Sequence, residues 1–215
     1  MEGIEDYDFS FKIVVGGSPN VGKTNVIQRF ANDLFMEESR PTLGIDFVLK
    51  DVEFDDKVVR CQIWDTAGQE KLKAIAKMYY KNANGVLFIF DITDRSSFEA
   101  LNGWMEELHS NVPEGIPMVI LGNKADLSQD RKVTAEEATA YAKARGTYYI
   151  EVSAKENAGK EIEQAVVSLL KDMVKLIDIK QDKANIRAES IGRRSVKITQ
   201  AKSATKGQAN NRKCC

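Results

Sequence analysis

The chain has 215 residues, 43% hydrophobic and 29% charged, which suits one folded domain of about 150–200 residues with a tail and excludes two full domains. No apolar run nears the roughly 18 residues that cross a bilayer, the acidic stretch 1–11 has no apolar signal core, and three Cys with one His make neither a disulfide framework nor a zinc site, so a reducing cytosolic compartment is expected. The net charge of −1 conceals an asymmetry: residues 1–179 hold 21 Lys+Arg against 30 Asp+Glu, and residues 180–215 hold 10 against 2.

In chain order, residues 1–8 read as an acidic extension, 9–179 as the folded domain and 180–215 as a basic disordered tail. Phe11–Val15 is an apolar run closed by Gly16-Gly17, and a helix pattern follows from Lys23 to Asp33. Ile45–Phe54 and Lys57–Trp64 are two strands joined by Asp55-Asp56, a tight hairpin. A helix near Lys71–Tyr80 leads to Gly85–Phe90, a continuous apolar run of the kind buried on both faces of a parallel sheet. Ser96-Ser97-Phe98-Glu99 is a capping-box pattern opening the next helix. Pro117–Leu121 is a further buried strand, Thr134–Glu137 caps another helix, and Tyr148–Val152 is the last strand. Ile162, Ala165, Val166, Leu169, Leu170 and Met173 then recur at helical spacing. The tail has no Phe, Trp or Tyr and cannot bury enough apolar area to offset its ordering entropy. Its charge suits nucleic acid or an anionic membrane surface.

Strand–helix alternation predicts an α/β domain with a mostly parallel sheet covered by helices on both faces, and such sheets bind ligands at the carboxyl ends of their strands. The motifs fall there. Gly17–Thr24 fits G-x-x-x-x-G-K-[ST] between a strand and a helix, a P-loop whose backbone N–H groups surround phosphates. Lys23 would reach the β/γ oxygens, and the Thr24 hydroxyl would ligate Mg²⁺. Trp64–Glu70 closes the third strand: Asp65 is placed to hold Mg²⁺ through water, Gly68 to let an N–H approach a γ-phosphate, and Gln69 to orient an attacking water. Asn123-Lys124-Ala125-Asp126 follows the next strand but one. The Asp126 carboxylate can accept from guanine N1–H and N2, whereas adenine would leave it unpaired. Ser153-Ala154-Lys155 follows the last strand, where the Ala154 N–H would meet guanine O6.

With these motifs in this order, the chain resembles a Ras-superfamily small GTPase and, within that superfamily, a Rab. The resemblance covers about residues 9–179 and rests also on Leu43–Phe47, Gln62-Ile-Trp64, Tyr79-Tyr80, Gly85–Thr93 and the terminal Cys214-Cys215. It implies a Ras-like G domain: a six-stranded, mostly parallel sheet with one antiparallel edge hairpin and about five flanking helices. It assigns Asn20, Val21, Gly22, Lys23, Thr24, Asn25, Thr42 and Gly68 to the phosphates, and Thr24, Thr42 and Asp65 to Mg²⁺. Phe35, Asn123, Lys124, Asp126, Ser153, Ala154 and Lys155 fall to guanine, and Gln69 and Lys23 to catalysis. Residues around 36–47 and 65–80 correspond to the two switches, and Phe47, Trp64 and Tyr79 to the aromatic triad that meets effectors. Cys214 and Cys215 match a double prenylation signal, and two lipid chains give stable anchoring where one is marginal. The implied partners are GTP and GDP, effectors, an exchange factor, a GAP, a prenylation escort and a GDI-type extractor, with a membrane and no nucleic acid. The implied state is a monomer on the cytoplasmic face of an intracellular membrane, with a cytosolic pool.

The sequence departs from the family inside the P-loop, where Pro19-Asn20 stands in place of Ser-Gly. Pro19 removes one N–H and adds a ring beside the γ-phosphate, and Asn20 tolerates the φ > 0 expected of the glycine position. Two functions follow: a membrane-anchored switch that hydrolyses GTP slowly and recruits effectors in vesicle traffic, or a GTP-binding scaffold with impaired hydrolysis. A P-loop kinase leaves Asn123–Asp126 and the terminal cysteines unexplained. Cys61 reads as a packed thiol, His109 as a surface or helix-end residue, and Lys71, Lys73, Lys77 and Lys81 as a solvated helix face.

Overall fold

The computed structural model describes residues 7–37, 45–66, 80–112, 115–156 and 160–179. Its elements are β1 (Phe9–Gly16), α1 (Lys23–Asn32), β2 (Ile45–Phe54), β3 (Lys57–Thr66), β4 (Gly85–Asp91), α2 (Arg95–Glu99), α3 (Leu101–His109), β5 (Met118–Asn123), a 3₁₀ turn (Ala125–Asp130), α4 (Ala135–Lys143), β6 (Tyr148–Glu151) and α5 (161–179). The strands form one six-stranded sheet in the order β2-β3-β1-β4-β5-β6. β2 runs antiparallel to β3, and every other neighbouring pair is parallel. This is the expected sheet with its antiparallel edge hairpin.

All seven residues of β4 are buried, as its unbroken apolar run requires in a sheet covered on both faces. One covering layer includes Phe98, Leu101, Met105 and Leu108 from α2 and α3 with Ala138 and Ala142 from α4. Val26, Ile27 and Phe30 are the buried residues of α1's apolar face. In α5 the six residues from Ile162 to Met173 that recur at helical spacing are at most 2% exposed, each contributing roughly 1.5–3 kcal/mol on burial if large and aliphatic. Among the described residues, 7–173 fall in one compact unit and 174–179 in a second.

Local chemistry sets the element ends. Asp55 and Asp56 take φ of 49° and 58°, the two left-handed residues of a type I′ turn whose twist matches the flanking strands. Thr134 caps α4 as expected, its side-chain oxygen accepting from Glu137 N at 3.1 Å. The start of α2 differs from the capping-box expectation. Asp94 is the cap and accepts from Ser96 N at 3.0 Å, while Glu99 reaches back to Arg95. A carboxylate at Asp94 outcompetes the serine, whose neighbour Ser97 is buried and donates its hydroxyl to Asp94 O at 2.7 Å.

Cys61 is fully buried and its thiol is pushed up to about 12 by burial, a packed side chain. His109 is exposed at the end of α3. The helix expected near Lys71–Tyr80 lies outside the described residues except for Tyr80, which is buried.

Because β1 lies between β3 and β4, chain connections leave it in opposite directions, and the crevice at the carboxyl ends of these strands is where such a sheet takes a ligand. The register brings Asp65 beside Val15, Asp91 beside Asn123 and Glu151 beside Gly122.

Candidate functional site

The loop from β1 to α1 is shaped by two glycines. Gly17 has φ +143° and approaches Ile89 so closely that a Cβ would lie 2.1 Å from its carbonyl oxygen. Gly22, the N-cap of α1, has φ +91°, and a Cβ there would lie 2.4 Å from Asn123 Nδ2. Asn20 has φ 64°, the left-handed conformation expected for it. Val26 N bonds back to Gly22 O at 2.9 Å, so the N–H groups of Lys23, Thr24 and Asn25 precede the helical ladder. Pro19 and Asn20 are exposed at the loop tip.

Lys23 is 6% exposed, and its ammonium donates to Gly17 O at 2.9 Å and Ser18 O at 2.8 Å. Burial pulls it down to about 8, against the opposing pull of Asp65. Thr24 Oγ1 donates to Asp65 Oδ2 at 2.6 Å, with Asp65 2% exposed. A hydroxyl and a carboxylate side by side form an all-oxygen donor set, which fits a hard cation such as Mg²⁺. The Asn25 side chain turns elsewhere: it holds Met36 by both backbone groups, Nδ2 to the carbonyl at 3.1 Å and Oδ1 from the N–H at 3.0 Å. That bond fixes the segment that carries Phe35.

Asn123 ties three segments together. It is 2% exposed, its Nδ2 donates to Val21 O at 2.8 Å, and its Oδ1 accepts from Ala154 N at 3.1 Å. The Ala154 N–H expected to face a base oxygen is therefore directed at Asn123. Lys124 has φ 67°, and its ammonium pairs with Asp91 at 2.6 Å. Ser153 Oγ donates to Asp126 Oδ1 at 2.6 Å and accepts from Glu156 N at 3.0 Å, which fixes the carboxylate at the pocket wall.

A cavity of about 300 Å³ opens among these groups, lined by Asn20, Gly22, Asn25, Phe35, Asn123, Lys124, Asp126, Ala154 and Lys155 of the expected set. Glu37 and Leu127 join the lining and carry no motif that would have announced them. Arg29, also outside every motif, bonds Ala154 O from 125 residues away in sequence, a contact no local pattern reveals. Phe47 and Trp64 face each other across β2 and β3 with ring centroids 5.6 Å apart, and Phe47 is 54% exposed, so it is not a core residue. The Lys12 ammonium sits 4.3 Å over the Trp64 ring. Thr42, Gly68, Gln69, Tyr79, Cys214 and Cys215 lie outside the described residues.

Residues 12–175 match the family model described as the Ras family. Among similar proteins, Ras-related protein Rab11B of Nicotiana tabacum is 40% identical over 173 residues, covering 80% of this chain and 79% of its own. Ras-related protein RABA6b of Arabidopsis thaliana is 43% identical over 77% of this chain and 72% of its own. Human Ras-related protein Rab-30 is 42% identical over 74% of this chain and 78% of its own. With relatives at this identity and length joined to a Ras-like sheet with a cavity at its strand ends, the chain belongs to the Ras family and, within it, to the Rab small GTPases, which hydrolyse GTP and act in vesicle traffic.

Proposed function

We propose that GTP binds with its base in the cavity between Phe35 and the Asn123–Asp126 and Ser153–Lys155 segments, and its phosphates along Asn20–Asn25. The observation that carries this reading is that one cavity is lined both by the P-loop and α1 residues Asn20, Gly22 and Asn25 and by Asp126 and Lys155. The Asp126 carboxylate selects guanine by accepting from N1–H and N2. Lys23 and the α1 N-terminus hold the β/γ-phosphates. Thr24 and Asp65, joined by Thr42 when a γ-phosphate is present, would hold Mg²⁺. Bound there, the ion would neutralise charge on the β- and γ-phosphate oxygens.

Hydrolysis proceeds by attack of water on the γ-phosphorus, in line with the bond to the β-phosphate oxygen. That bond breaks to give GDP and phosphate. Gln69 aligns the water, and without an arginine from a GAP the turnover is slow, on the order of 10⁻⁴ s⁻¹. Loss of the γ-phosphate releases Thr42 and Gly68, and effectors distinguish the two states at Phe47, Trp64 and Tyr79. Prenyl chains on Cys214 and Cys215 and the basic tail anchor the monomer to the cytoplasmic face of an intracellular membrane. An escort and a GDI-type extractor handle the lipids, and an exchange factor and a GAP drive the cycle.

A single-turnover assay tests this reading. The full chain is preloaded with GTP and Mg²⁺, and released nucleotide is identified over time beside Gln69→Leu. Slow conversion to GDP that Gln69→Leu abolishes is expected. GTP retained unhydrolysed by the parent chain would favour the scaffold alternative, in which Pro19 perturbs the γ-phosphate site.

A further inference from the structure

Arg29 stands in the second turn of α1, outside every nucleotide motif, with its side chain 16% exposed. Its guanidinium joins the Ala154–Lys155 segment, which lines the cavity, to the turn at Asp33 that leads to the lining residue Phe35. Nε donates to Ala154 O at 2.9 Å and Nη2 to Lys155 O at 3.2 Å, while Nη1 donates to Asp33 O and Asp33 Oδ1, both at 2.9 Å. Asp33 itself is left-handed, φ 54°, and its N–H returns to Arg29 O at 3.1 Å. One turn earlier, Asn25 grips both backbone groups of Met36. Two side chains of α1 thus hold residues 33–36, which carry Phe35, and one of them also holds Ala154 and Lys155.

We propose that Arg29 is a positioning residue that sets how long guanine nucleotide stays bound, by tying the Ala154–Lys155 wall of the base pocket to the turn that presents Phe35. This rests on the nucleotide reading given above. The Asp33 carboxylate is 88% exposed and its ion pair contributes little, so the effect lies in the carbonyls. Those acceptors lie in three places, and a planar fork of five N–H donors reaches them together where a single ammonium cannot. For a base to leave, Phe35 and the 154–155 wall must part. Arg29 opposes that separation without touching the ligand.

The test is release of a fluorescent ribose-labelled GDP from the full chain in Mg²⁺, chased with excess GDP, for the parent, Arg29→Ala, Arg29→Lys and Arg145→Ala. Arg145, which bonds Asn102 and Tyr141 away from the pocket, controls for loss of a surface guanidinium. Arg29→Ala is expected to release nucleotide about tenfold faster, and Arg29→Lys at least about fivefold faster, because charge alone does not rebuild the fork. Labelled GTP should be released faster by the same factor as GDP, since the lesion is at the base end. Arg145→Ala should stay within about twofold of the parent, and the unfolding midpoint of Arg29→Ala at saturating GDP should fall by no more than about 6 °C, the loss that a tenfold weaker ligand alone brings. Release within twofold of the parent for both Arg29 variants would overturn the proposal, as would full rescue by lysine. So would failure of both variants to fold in excess GDP, which would make Arg29 part of the framework. Failure of the nucleotide reading itself looks different: the parent would take up no labelled GDP.

Discussion

Replacing Asn123 with alanine removes one carboxamide and breaks the tie among the P-loop, β5 and the loop after β6. Two bonds are lost, to Val21 O at 2.8 Å and from Ala154 N at 3.1 Å, and both backbone partners belong to residues at most 3% exposed. Leaving a buried polar group unsatisfied costs about 1–3 kcal/mol, so the pair sets a range of about 2–6 kcal/mol. Water entering the space vacated beside Gly22 recovers part of it, and about 3 kcal/mol is the expected net loss. Because Ala154 lines the pocket and Val21 stands between its lining residues Asn20 and Gly22, this loss divides between fold stability and nucleotide affinity, and 3 kcal/mol spent wholly on affinity is about 150-fold. The assay is urea unfolding at saturating GDP together with the GDP release rate. Asn123→Asp sharpens it: the acceptor toward Ala154 survives, but an oxygen replaces the donor facing Val21 O at a position 2% exposed. The aspartate variant should therefore be at least as damaged as alanine. If alanine leaves stability within about 0.5 kcal/mol and release within about twofold, or if aspartate is the milder change, the hydrogen-bond argument is wrong.

Further expectations concern single groups. Asn20→Gly should leave the melting temperature in saturating GDP nearly unchanged, since φ 64° suits glycine, while Asn20→Val should cost roughly 1–2 kcal/mol from its branched Cβ. Hydrogen bonds from Arg131 hold the Glu151 carboxyl below its ordinary value of 4.5, so this contribution to stability is present above pH 4.5 and is lost as pH falls through the lowered value. Glu151→Gln should then be less stable than the parent at neutral pH and flatten the acid limb of the stability–pH curve, measured by urea titration. Cys61, fully buried with its thiol raised to about 12, should remain unalkylated at pH 8 in a peptide map until denaturant is added.

The sequence was most legible where a local pattern has a single physical use. The apolar run of β4, the Asp55-Asp56 turn, the Thr134 cap and the α5 stripe each reflect periodicity or turn chemistry within a few residues. The α2 cap was misread because two acceptors, Asp94 and Ser96, stand two positions apart, and only the packing of Ser97 beneath the loop decides between them. In the site, the described residues of the P-loop, Asn123–Asp126 and Ser153–Lys155 lie around one cavity, while Thr42, Gly68 and Gln69 fall outside the described residues. What remained illegible is what those residues do for one another. Nothing local says that the Asn25 side chain grips Met36, that Ala154 N–H faces Asn123, or that Arg29 spans 125 residues to Ala154.

These mutual bonds bear on how the fold and the ligand depend on each other. Lys23 is held by two carbonyl oxygens in a buried position that lowers its affinity for a proton, so the loop maintains a cation at a desolvation cost only partly offset by Asp65. Phosphate oxygens beside that ammonium would remove much of the cost, and the same loop is tied through Val21 and Asn123 to Ala154 and from there through Arg29 to the turn at Asp33. The P-loop and the Ala154 and Asp33 segments are therefore linked by hydrogen bonds between side chains and backbone within one network. With nucleotide seated as proposed, ligand held at either end would stabilise the other, and by linkage whatever loosens one wall of the pocket would weaken the hold on the whole ligand.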